Sequence, residues 1–121
     1  MTHEVDTPMW MVDANTFQVT MANHAAQTMF GYSADELASM TIFELVSPEQ
    51  VELLREAFTN RGFAGDGGEW TLHHPGGARY RMRVRYHYVE NDGTKLQFTF
   101  ADEIYGHPSF PDGKTKGVGG H

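Results

Sequence analysis

Residues 22–37 read ANHAAQTMFGYSADEL, and two helix boundaries follow from local chemistry alone. From Asn23 the pattern loses strand alternation: residues 24–30 are rich in Ala and Met and stop at Gly31, which predicts a two-turn helix with a glycine C-terminal cap. Ser33 followed three residues later by Glu36 is a capping box, so a second helix starts at once.

Upstream, the apolar run at residues 9–12 lies between Pro8 and the turn signal Asp13-Ala14-Asn15. Phe17, Val19 and Met21 then alternate with polar or small residues, which predicts two short strands joined by a tight turn. Downstream, Ser47 with Gln50 forms a second apparent capping box, with Pro48 at the first helical position. The longest predicted helix follows over residues 48–58, its apolar stripe formed by Val51, Leu54 and Phe58 and widened by Leu53 and Ala57. Residues 60–68 contain four glycines and read as a surface loop. Three strands with period two follow at residues 69–74, 79–90 and 94–102.

Side-chain pairing suggests a register. A turn over residues 74–78 puts Tyr80 opposite Leu72 and Met82 opposite Trp70. If residues 91–93 form a three-residue hairpin loop, Tyr88 faces Leu96, Tyr86 faces Phe98 and Val84 faces Phe100, all on the inner side. The sum is an α+β fold: a five-stranded antiparallel sheet with short helices and one longer helix packed on one face. The tail after residue 105 is rich in glycine, carries no hydrophobic period and reads as flexible or loosely packed.

Composition bounds the rest. The chain has 121 residues, enough for one core, with 12% aromatics to fill it. It has no cysteine, which excludes disulfides, thiolate metal sites and cysteine nucleophiles. The longest apolar run is four residues against the roughly 20 needed to cross a bilayer, so a soluble, cytoplasmic protein is expected. The net charge of −7 argues against nucleic-acid binding, yet residues 1–69 carry −9 while residues 70–101 carry +3.

The run at residues 22–37 also resembles the signature of PAS sensory domains: an Asn followed by small residues, an aromatic-Gly-Tyr, and a Glu-Leu helix. Val12-Asp13, Ser47-Pro48-Glu49-Gln50 and Pro75-Gly76-Gly77 match further family positions in order. The resemblance covers residues 8–104, leaving residues 1–7 as an N-terminal segment and 105–121 as a flexible tail or linker. It implies a non-enzymatic sensory and protein-interaction module of a bacterial signal-transduction or transcription-control system, one that binds a small ligand, dimerises, or pairs with another signalling domain. Asp102 takes the family's signalling position, although Gly106 and Pro108 stop the chain from continuing into a coiled-coil helix.

The inward rows nominate Phe43, Leu54, Phe58, Trp70, Tyr80, Tyr86, Phe98 and Phe100 as lining a cavity for a small ligand. The plainer reading of the same residues is an aromatic core. With no cysteine a covalent flavin adduct is excluded, and the cofactor, if any, is left open. In the family it resembles, haem is commonly held by a histidine on the long helix; this helix has none, so the resemblance disfavours haem and leaves His24 as the remaining candidate ligand. The seven histidines show no metal-binding spacing, and His3, His107 and His121 fall in expected tails. On the opposite face Arg79, Arg81, Arg83 and Arg85 recur at every second position, with Glu69 opposite Arg83 and Thr71 opposite Arg81. The plainer reading is a solvated face partly neutralised by these neighbours; the resemblance offers the alternative that the stripe meets acidic groups of another copy, which makes Arg81, Arg83 and Arg85 the interface candidates. A small acid-base enzyme acting on an apolar substrate is the alternative of a different class; it needs an inward carboxylate near Tyr80, Tyr86 or Tyr88, and it gains if Glu44 or Asp102 sits inside bonded to a tyrosine. A ligand-free association module is a third reading.

Overall fold

A computed structural model describes residues 6–60, 62 and 64–115. His3, His121 and most of the N-terminal segment lie outside the described residues, as does the tail beyond residue 115. Strands β1 (Met9–Asp13) and β2 (Val19–Ala22) are followed by helices α1 (His24–Phe30), α2 (Ala34–Ala38) and α3 (Val51–Asn60). Then come β3 (Ala64–His73), β4 (Arg79–Asn91), β5 (Thr94–Tyr105) and a two-residue strand β6 (Gly113–Lys114). The antiparallel sheet runs β2-β1-β5-β4-β3, and β6 pairs with β5 beyond the end of β1.

Asn23 links the first hairpin to α1. Its Oδ1 accepts from the N–H of Ala26 at 2.9 Å, capping the helix, and from the N–H of Met9 at 3.0 Å, while its Nδ2 donates to the Thr7 carbonyl at 3.0 Å. Gly31 closes α1 at φ +86°, with its N–H bonded to Gln27 O. The Ser33–Glu36 capping box forms in both directions.

The box expected at Ser47 does not form. Ser47 Oγ is buried without a partner, residues Pro48–Gln50 make a 3₁₀ turn, and the Gln50 side chain instead accepts from the Thr71 N–H at 2.6 Å. A partly buried strand amide outcompetes the local cap for the Gln50 side chain. In α3, Leu54 is buried, but Leu53 is 59% exposed rather than part of the stripe.

Residues 60–68 are only partly a loop. From Ala64 the chain already pairs with β4, reaching His87, and a bulge before Gly68 absorbs one residue. The Asp66 carboxylate accepts from the Gly68 N–H at 2.9 Å and fixes that bulge. The long β4 offers backbone partners that glycines accept as readily as other residues.

The largest correction concerns β4 and β5. The turn has two residues, Asp92 at φ 53° and Gly93 at φ 80°, and Asn91 pairs with Thr94. Asp-Gly in this mirror-image turn suits the right-handed twist of the flanking strands. Tyr88 therefore faces Gln97, and Tyr86 faces Thr99. A slip of one residue exchanges the faces, so Leu96, Phe98 and Phe100 point outward and Gln97 and Thr99 point inward. A second bulge, at Asp102, restores the phase: Ala101 and Ile104 are buried, pairing with Val84 and Met82. The β3–β4 register stands as expected, with Trp70 opposite Met82, Leu72 opposite Tyr80 and Glu69 opposite Arg83.

The segment read as a flexible tail is docked as far as residue 115. Gly106 turns the chain at φ +87°, and Phe110 and His107 are 2% and 6% exposed. Thr115 bonds through its N–H to Asp102 O and through its hydroxyl to Ala101 O. One aromatic anchor and an open stretch of β5 edge hold a segment whose composition gives no hydrophobic period.

Candidate functional site

The inner face of the sheet and α3 line a partly open cavity of about 20 Å³. Of the expected lining residues, Leu54, Phe58 and Trp70 face it. Trp10, Gln97 and Thr99 also face it and were not anticipated. Trp10 packs edge-on against Phe30 at 4.9 Å between ring centres, and the Trp70 indole N–H donates to Gly67 O at 2.8 Å, so both walls are fixed.

The remaining nominees are elsewhere. Phe43 packs at a tilt against Phe17 at 4.9 Å between ring centres, beneath the Arg55 guanidinium of α3. Tyr86 is buried and donates its hydroxyl to Gly62 O at 3.1 Å. Phe98 and Phe100 are on the opposite face of the sheet, paired with Met11 and Met9.

The polar lining forms a chain: the Thr99 hydroxyl donates to Gln97 Oε1 at 3.0 Å, and Gln97 Nε2 donates to the Tyr88 hydroxyl at 3.2 Å. All three are buried, and this order satisfies groups that would otherwise cost about 1–3 kcal/mol each. The space accepts about one water molecule, whereas pockets for drug-sized ligands run to roughly 300–1,000 Å³. A flavin or haem ring therefore does not fit among these residues, and His24, the one haem candidate, is exposed on α1.

Among the described residues no carboxylate lines this cavity. Glu44 is exposed and accepts from the Thr41 N–H at 2.9 Å. Asp102 sits on its bulge and pairs with Lys114 at 3.3 Å. Neither lines the cavity, so neither adds support to the acid-base reading.

The outer face divides in two. On β3, β4 and the end of β5 it is charged: Arg79 pairs with Glu49 at 3.2 Å, Arg81 with Glu69, and Arg83 with Asp66 at 3.2 Å and Glu103 at 3.8 Å. The Gly68 N–H above all holds the Asp66 carboxyl below its ordinary value; burial opposes it, and Arg83 and then Arg85 add to the lowering. Arg81 also lies over the Tyr105 ring at 5.2 Å, and the Glu103 carboxylate beside Tyr105 pushes that phenol up. On β2, β1 and the first half of β5 the outer face is apolar. Met21 pairs with Met11, Met9 with Phe100 and Met11 with Phe98, and His87 stacks on Phe98 at 5.0 Å.

A third cluster lies at the far end of the sheet, where Tyr80, 3% exposed, meets the docked C-terminal segment. The His107 ring stands edge-on to Tyr80 at 4.4 Å and to Phe110 at 5.0 Å, with His74 5.8 Å away. Among the described residues neither the Tyr80 hydroxyl nor His107 Nε2 has a hydrogen-bond partner of good geometry. Burial pushes the Tyr80 phenol far up. Sequence reading placed His107 in a tail, and Phe110 three residues on was the one available sign of an anchor.

Comparison with known proteins agrees with this architecture. The family model of the PAS fold matches residues 1–101. No curated protein matches the chain. Among solved structures, a PAS domain from a two-component sensor histidine kinase superposes with TM-score 0.69 at 14% identity, over 78% of this chain and 82% of that one. The PAS domain of an HTR-like protein from Haloarcula marismortui gives 0.68 at 13% identity, over 78% of each. The Drosophila melanogaster Cycle PAS-B domain with bound ethylene glycol gives 0.69 at 8% identity, over 81% and 99%. At these identities the structures attest the fold, and the family match over most of the chain establishes membership: the chain belongs to the PAS family.

Proposed function

We propose that this PAS domain is a sensory module that signals by self-association through the apolar half of its outer sheet face. PAS domains are sensory modules of signalling proteins and are generally non-enzymatic. The observation that carries the reading is the outward row Met9, Met11, Met21, Leu96, Phe98 and Phe100 across three adjacent strands, all at least partly exposed, with Met21 at 45%. Packing that row against a second copy removes apolar surface from water, and the neighbouring Arg85, which stands opposite Phe100, gives the rim a charge to match. Arg81 and Arg83 are engaged within the chain and contribute less to such a contact than Arg85.

The test is the mass in solution by light scattering or sedimentation. Wild type is expected to dimerise at about 100 µM, a concentration that detects affinities weaker than a typical specific complex. Phe98→Glu is expected to be monomeric with an unchanged circular dichroism spectrum. A monomeric wild type, or a dimeric Phe98→Glu, would overturn the assignment.

The Thr99–Gln97–Tyr88 chain supports a second reading, in which a very small polar ligand enters beside Thr99 and Gln97. Native mass spectrometry and an absorption spectrum of protein as purified test it. A stoichiometric extra mass supports it, and bare mass counts against it.

A further inference from the structure

We propose that residues 106–115 form a proton-sensitive latch on the end of the sheet, docked while His107 is neutral and released when it is protonated. The inference is independent of self-association and rests on how this segment is held. Gly106 reverses the chain against Tyr80, where a Cβ would meet Tyr80 Cβ at 3.5 Å, and the Gly106 N–H donates to Asp112 Oδ1 at 2.9 Å. His107 then packs against Tyr80 and Phe110 against His107, and β6 covers the β5 edge at Glu103 and Ile104. Docking therefore sets where the chain runs after Asp102.

The hold is conditional because its centre is polar. The His107 Nδ1 accepts from the Ser109 N–H at 3.0 Å, so the neutral ring carries its proton on Nε2. That Nε2 is buried with no hydrogen bond of good geometry among the described residues, and the carbonyls of Met29 and Thr28 at the end of α1 are the backbone acceptors that act on the ring. A proton added to the ring must go to Nδ1, the atom that accepts from Ser109, so it breaks that bond and places a cation in a dry contact.

Each packed element presents a known group to the ring. The turn between β3 and β4 presents His74, β4 presents the neutral Tyr80 ring, the segment itself presents Ser109 and Phe110, and α1 presents the two carbonyls. Burial, then His74, lowers His107 below its ordinary 6.5, and the α1 carbonyls oppose this more weakly. The undocked segment, with an ordinary histidine, therefore binds the proton more tightly. Docking is complete above the ordinary value and weakens as pH falls below it.

Amide hydrogen exchange of the whole chain, corrected for intrinsic rates, tests this at about pH 7.5 and about pH 5, either side of the ordinary histidine range. Protection of the Phe110 and Thr115 amides, bonded to His107 O and Asp102 O, is expected to fall several-fold at the lower pH while the β3 and β4 amides keep theirs. His107→Phe, which fills the site without titrating, is expected to remove the difference. If that ring fails to dock at the higher pH, His107→Gln, whose amide oxygen can accept from Ser109, serves as the second non-titrating variant. Protection that does not change with pH in wild type would overturn the latch. So would a wild-type drop in the docked non-titrating variant, or a drop abolished by His74→Gln alone.

Discussion

Asn23 makes three hydrogen bonds, to Ala26, Met9 and Thr7, and so ties helix, strand and N-terminal segment with one amide. Asn23→Ala should cost about 2–3 kcal/mol by urea denaturation, since a lost cap is worth about 1 kcal/mol and partly buried backbone groups lose their partners as well. Asn23→Asp should recover most of the loss, because both acceptor contacts survive. Gly31 is constrained twice, by φ +86° and by neighbours: an added Cβ would lie 2.5 Å from His74 Nε2 and 2.8 Å from Pro75 Cδ. Gly77 at φ +99° has open space around it. Gly77→Ala should therefore cost about 1 kcal/mol of backbone strain, and Gly31→Ala at least about 1–2 kcal/mol more, read from the same denaturation curves.

Elements decide which of two adjacent, chemically similar residues matters. On α3, Leu54→Ala should destabilise by about 2–4 kcal/mol because it opens a void beside Trp70, while Leu53→Ala should fall within about 0.5 kcal/mol. Equal effects would mean that the helix is rotated. On β5 the contrast tests the hairpin register: Phe98→Ser, at an outward, half-exposed position, should cost less than about 2 kcal/mol. Ile104→Ser, fully buried across from Met82, should cost more than about 3 kcal/mol. The three-residue turn reading predicts the opposite weight for Phe98. The choice between the two rests on Asp92 entering the left-handed region, which Asp tolerates better than most residues.

At the scale of the whole molecule, the sheet has a packed inner face and an outer face split between ion pairs and apolar side chains. The ion pairs are exposed, with Arg79 and Arg81 side chains 54% and 55% accessible, so their net contribution is small. Raising salt from about 0.1 to about 1 M should shift unfolding stability by less than about 1 kcal/mol, while association through the apolar half should hold or strengthen. A dimer that dissociates in salt would instead place the contact on the arginine stripe. The net charge of +3 over residues 70–101 is thus largely spent on local acids from β3, β5 and the turn before α3 rather than left as a field for distant partners.

Local chemistry determined most of the architecture: the caps at Gly31 and Ser33, the alternation of β3 and β4, and the outward arginine row depend on neighbours a few residues apart. Trp70, Leu54 and Phe58 were legible as inner residues for the same reason, because each lies on an unbroken period. Tertiary structure decided what periodicity leaves open. One residue more or less in a turn reverses a strand's faces at no cost to its own pattern, so Phe98 and Phe100 exchanged places with Gln97 and Thr99 once β1 and β4 both had to pair with β5. The docked segment at 106–115 was invisible for a different reason: its partners, Tyr80, His74 and the end of α1, lie at least 26 residues away in sequence, and only the folded sheet brings them to His107.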